Sequence, residues 1–122
     1  MNHLSLLPLA GALILTASVA WSAEEKDGTT QSGPISVEMK SISYDPKSVE
    51  VPVGGSVVWT NKAFTNHTAT SDDGQTFDTG QIKPNESSSP VKFDKEGEFN
   101  YHCTIHGKTM SGTVVVKPAG AN

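Results

Sequence analysis

The chain has 122 residues, with nine lysines, no arginine and thirteen acidic residues, for a net charge of −4. This mildly acidic balance, without a lysine cluster, excludes the basic face that nucleic acids and anionic lipid surfaces require. The single cysteine excludes an internal disulfide, and a lone thiol in an exported protein calls for another use.

The segment "MNHLSLLPLAGALILTASVAWSA" holds no Lys, Arg, Asp or Glu, and its apolar run from Leu4 to Ala20 ends in small residues. It reads as a secretory signal over residues 1–22, cut after Ala20 or Ser22, with a retained anchor as the alternative. Residues 23–33 are polar and aperiodic, a flexible leader. The rest amounts to one domain, expected over 34–118, followed by a short tail at 119–122.

Within that domain "ISVEM" alternates, with Ile35, Val37 and Met39 on one face. "SVEVPVGGSVVWTN" supplies two more alternating runs around Gly54-Gly55, a hairpin signal. Trp59 lies in mid-strand and reads as core. "HTAT" and "TFDTGQI" flank the turn "SDDG", "KPNESSSP" is a loop, "VKF" and "EFNYHC" flank "DKEG", and "TVVVK" closes the domain. About eight short strands with turn chemistry in every gap predict an all-β fold, an antiparallel sandwich or barrel of Greek-key type.

The segment "YHCTIHGKTM", residues 101–110, carries the only cysteine with two of the four histidines and one of the three methionines. On a strand "EFNYHC", Phe99, Tyr101 and Cys103 share one face and Asn100 and His102 the other. Cys103 then points inward at a strand end, the turn "TIHG" swings His106 back toward it, and Met110 follows before the last strand. A fourth donor has to come from another strand end. With His102 facing away, His67 in "FTNHTATS" is the remaining histidine outside the signal. Two imidazoles, a thiolate and a thioether suit copper in both oxidation states better than zinc, which recruits more cysteines in structural sites.

"YDPKSVEVPVGGSVVWTNKAFTNHT" together with "YHCTIHGKTMSGTVVVK" resembles the cupredoxins, the blue-copper proteins, in their amicyanin, plastocyanin and pseudoazurin group. The resemblance spans about residues 34–118 and implies a Greek-key β-sandwich holding one copper ion, Cu(I) or Cu(II), for one-electron exchange. Its ligands would be His67, Cys103, His106 and Met110. Gly107 stands where the family's short loops often carry proline, and the three-residue spacer Gly107–Thr109 is intermediate among the family's loops. The brace that the family often places just after the upstream histidine falls to Asn66 or Thr68.

The resemblance further implies a periplasmic monomer, not an enzyme, that meets redox proteins through the loop around His106. Lys108 on that loop favours a partner with acidic residues, and Gly107 would let His106 swing out to take a proton when copper is reduced. A periplasmic copper carrier or store is the alternative, since the same ligands would serve it. Each residue also has a plainer reading: Cys103 and Met110 as core, His102 as a solvent-facing histidine rather than an electron route. A Cys103 nucleophile would need a group to orient His106, and none is evident.

Overall fold

The computed structural model describes residues 33–120. The expected signal at 1–22, nearly all of the leader and the last two residues of the tail lie outside the described residues. Eight strands and no helix occur among the described residues: β1 (Ile35–Met39), β2 (Tyr44–Asp45), β3 (Ser48–Pro52), β4 (Ser56–Asn61), β5 (Thr70–Ser71), β6 (Val91–Lys92), β7 (Gly97–Cys103) and β8 (Gly107–Lys117). They form two four-stranded sheets, ordered β2-β1-β4-β6 and β3-β8-β7-β5. The all-β sandwich expected from the pattern is the fold.

Alternation builds its core. Val37 and Met39 on β1, Val49 and Val51 on β3, and Val57 and Trp59 on β4 are all buried, as a period of two demands. Those of β1 and β4 meet the two β3 valines, Tyr101, Val114 and Val116 from the second sheet. Trp59 links the two sheets: its Nε1–H donates to Tyr101 Oη at 3.1 Å, and the rings lie edge to face with centroids 5.2 Å apart. A buried indole N–H needs such a partner. Burial pushes the Tyr101 hydroxyl up to about 12, against the opposing Trp59 hydrogen bond, so it stays a neutral phenol.

The topology departs from the expected antiparallel arrangement. Gly54-Gly55 does not close a hairpin; β3 pairs with β8 and β4 with β1, both in parallel. The turn is a corner between the sheets. Val53 N–H donates to Lys117 O at the end of β8, while Gly54 N–H donates to Phe93 O, just after β6. Gly54 sits at φ +91°, where a residue without Cβ is favoured. Consecutive strands that face each other across a core must pair with strands distant in the chain, and such connections permit parallel neighbours.

The closing strand is also longer than "TVVVK". β8 starts at Gly107 and forms an antiparallel hairpin with β7, setting Gly112 opposite Tyr101. A Cβ on Gly112 would lie 2.6 Å from Tyr101 Oη and 2.8 Å from the Lys47 carbonyl. The missing side chain is what seats the tyrosine. Because Met39 and Asn61 are register partners at the ends of β1 and β4, the loops after both strands emerge at one pole.

Candidate metal centre

Three loops and a strand end meet at that pole. His67 follows the β4 loop and is held by a two-bond bridge to Ile82: His67 N–H donates to Ile82 O at 3.2 Å and Ile82 N–H to His67 O at 2.8 Å. Cys103 is the last residue of β7, in the inward phase. His106 ends the three-residue turn, where Thr109 Oγ1 donates to its carbonyl at 2.8 Å. Cys103 Sγ lies 3.6 Å from His67 Nδ1 and 3.5 Å from His106 Nδ1. The donor atoms of the three residues all fall within 4.8 Å of one another.

Met110 is the first inward residue of β8, wholly buried in the same core cluster as Cys103. Since His102 pairs with Ser111, an unbroken ladder would set Cys103 across from Met110. The register instead shifts between His102 and Cys103, so that Cys103 pairs with Gly107. Such an irregularity bends the strand and re-aims its side chains, and it leaves Lys108–Met110 as an added arc with no register partner in β7.

Burial lowers the pKa of His67, and the neighbouring His106 lowers it further, while the Lys40 backbone opposes both. Among the described residues no group makes a well-formed hydrogen bond to the buried Nε2 of His67. The shift favours the neutral ring, the form in which an imidazole can bind a metal, and its Nδ1 faces the sulfur. Thr68 completes the surroundings. Its N–H points to Cys103 Sγ at 3.4 Å, and its hydroxyl accepts Thr104 N–H at 2.9 Å. Its carbonyl accepts the hydroxyl of Tyr44. Of the two candidate braces, Thr68 faces the centre, whereas Asn66 donates to Gln81 Oε1 at the surface.

His102 points outward and lies 2.7 Å, Nδ1 to Oδ1, from Asp72, whose other oxygen is 3.5 Å from Lys108 Nζ. It is a partnered surface histidine, outside the donor cluster. Asn61, which the sequence reading does not single out, is buried at the end of β4. Its signal is phase: Val57, Trp59 and Asn61 occupy successive inward positions, so a polar residue stands where the pattern asks for an apolar one.

The residues fit a copper ion. Two imidazole nitrogens and a sulfur converge with no carboxylate or amide bonded to either ring among the described residues, and this donor set matches copper chemistry rather than a hydrolytic triad.

Residues 9–116 match the family described as the cupredoxin-like domain. The amicyanin-alpha of Methylorubrum extorquens is 27% identical over 121 residues, covering 96% of this chain and 100% of that protein. The chloroplastic plastocyanin of Tetradesmus obliquus is 29% identical over 119 residues, covering 88% of this chain and 78% of that protein. Among solved structures, the Cu(I) form of a methionine-to-alanine mutant of amicyanin aligns with a TM-score of 0.62 at 26% identity, covering 73% of this chain and 87% of that one.

Proposed function

Because this chain belongs to the cupredoxin-like family, we propose that it shuttles single electrons between redox proteins on one copper ion held by His67, Cys103, His106 and Met110. The observation that carries this reading is the approach of two buried or half-buried imidazoles and one buried thiol to within 4.8 Å. Copper, when bound there, supplies a one-electron couple whose two states prefer different geometries.

The chain's own residues keep that difference small. His67 is locked by its bridge to Ile82, and Cys103 by β7 and the Thr68 N–H. Met110 is locked by core packing. His106 alone among the four is partly exposed, so its ring is the edge through which electrons enter and leave, with no substrate bound at the metal. The partner meets the loops around it. Export to the periplasm follows from the uncharged apolar N-terminal stretch, the functional domain spans 34–118, and the protein works as a monomer. A carrier that releases copper on demand fits less well, because three of the four donors are wholly buried and ligand exchange would have to open the pole.

The test is the visible spectrum of the Cu(II)-loaded protein. An intense thiolate-to-copper charge-transfer band, abolished in Cys103→Ser and in His67→Ala, is expected. A pale spectrum typical of nitrogen and oxygen ligands would reject the site. Rapid loss of Cu(I) to a competing chelator would favour the carrier.

A further inference from the structure

We infer that Asn61 is the positioning residue of the pole: one buried carboxamide sets where His67 stands. This rests on the reading of His67 as a ligand. Asn61 is wholly buried and leaves no polar atom idle. Its Nδ2 donates to Thr65 O and to Ile82 O, each at 2.8 Å, and its Oδ1 accepts Ala63 N–H at 2.8 Å. Its backbone is taken up as well, its N–H donating to Glu86 O at 2.9 Å and its carbonyl accepting Asn85 N–H at 2.7 Å.

The Ile82 carbonyl is the pivot. It accepts Asn61 Nδ2–H at 2.8 Å and His67 N–H at 3.2 Å, so the carboxamide and the histidine backbone hang from the same oxygen. The other two bonds curl residues 62–66 into a fixed loop that can deliver His67 only at that point. A carboxamide suits this task because it offers two donors and an acceptor in one rigid plane. Aspartate keeps the size and the acceptor for Ala63 but turns both donors into acceptors facing carbonyls. Alanine leaves a small void and two carbonyls short of a donor.

Three variants of the copper-loaded protein test this: Asn61→Asp, Asn61→Ala and, as a control, Val57→Ala. The control loses core packing at the far end of the same strand. In the diamagnetic Cu(I) form, amide exchange at His67 should quicken about tenfold or more in both Asn61 variants, and copper affinity should fall about 10- to 100-fold. Asp should be worse than Ala, although a role in filling space would give the reverse order. Val57→Ala should lower the melting temperature while leaving His67 exchange and copper affinity as they are. Asn61 variants that match the control in both readouts would overturn the inference.

If neither Asn61 variant folds, the wild-type protein decides. The Asn61 carboxamide protons should be protected and should exchange in step with His67 N–H; carboxamide exchange at the solvent rate would overturn it. Retention of the charge-transfer band in His67→Ala would instead remove the ligand reading and leave the exchange result standing.

Discussion

His67 shows how far burial alone can prepare a residue. Its ring is fully buried, and desolvation followed by the neighbouring His106 holds its pKa below the ordinary value. An unfolded histidine titrates at about 6.5, so on acidification the unfolded chain binds a proton that the folded ring resists. The stabilisation is complete above that value and is lost as pH falls toward the folded pKa. The copper-free protein should therefore melt at progressively lower temperature as pH falls from about 7.5 through about 6.5 and below, and His67→Gln should flatten that slope. An unchanged slope in the variant would assign the effect to another group. Met110 invites a second measurement. Met110→Leu conserves volume but withdraws the thioether, a loss felt more by the oxidised ion. Copper and colour should remain while the reduction potential rises, since the axial ligand tunes it. An unmoved potential in voltammetry would make Met110 a core residue only.

At the scale of elements, the β7–β8 hairpin carries three of the four candidate donors, His67 lying on the segment between β4 and β5. Its regular part sets Tyr101 against Gly112, and its irregular part, the shift between His102 and Cys103, frees the arc to Met110. The regular part has no slack. A methyl group at Gly112 would sit 2.6 Å from Tyr101 Oη and 2.8 Å from a backbone oxygen, so either the ring or the strand must move. Gly112→Ala should cost about 1–3 kcal/mol, as overpacking of a core does. For a domain of this size that is a melting temperature lower by about 4 °C or more. A melting temperature within a degree or so of wild type would show that the hairpin yields more easily than its packing implies. The β3–β4 corner marks the opposite case. Its two glycines are those of a hairpin, yet the backbone groups of the turn bond to Lys117 at the end of β8 and to Phe93 just after β6, strands of two different sheets. Local turn chemistry is the same either way; which sheet receives each strand depends on partners far along the chain.

Over the whole molecule, the distribution of exposed residues has one pole. The three large apolar side chains that remain exposed among the described residues are Ile42, Phe64 and Ile105, on the loops after β1, after β4 and before β8. Phe64 is 98% exposed, between Ala63 and Thr65, the two loop residues tied to Asn61. Lys62 on the loop after β4, Lys83 next to Ile82 and Lys108 at the start of β8 are exposed as well, although the chain as a whole carries −4. Local and net charge thus predict opposite responses. If electrons pass at this pole, oxidation of the Cu(I) protein by ferricyanide should slow as ionic strength rises to about 0.1 M, where the screening length is about 10 Å. A cationic cobalt(III) oxidant should show the reverse. Faster ferricyanide oxidation with added salt would mean that the net charge governs the encounter.

The sequence by itself determined the layered all-β architecture, because period-two alternation in "ISVEM", "SVEVP" and "SVVWTN" leaves a strand only one face to bury. It also marked His67, Cys103, His106 and Met110 as donor candidates, since thiol, imidazole and thioether chemistry is a property of residue type. Only the tertiary structure decided the rest. The parallel pairing of β1 with β4 and of β3 with β8, the choice of Thr68 over Asn66 beside the thiol and the clasp that hangs Asn61 and His67 from the Ile82 carbonyl each join atoms far apart in the chain. Hydrogen bonds to backbone carbonyls carry no residue signature, so the clasp leaves only one trace in the sequence, a polar side chain in an inward phase.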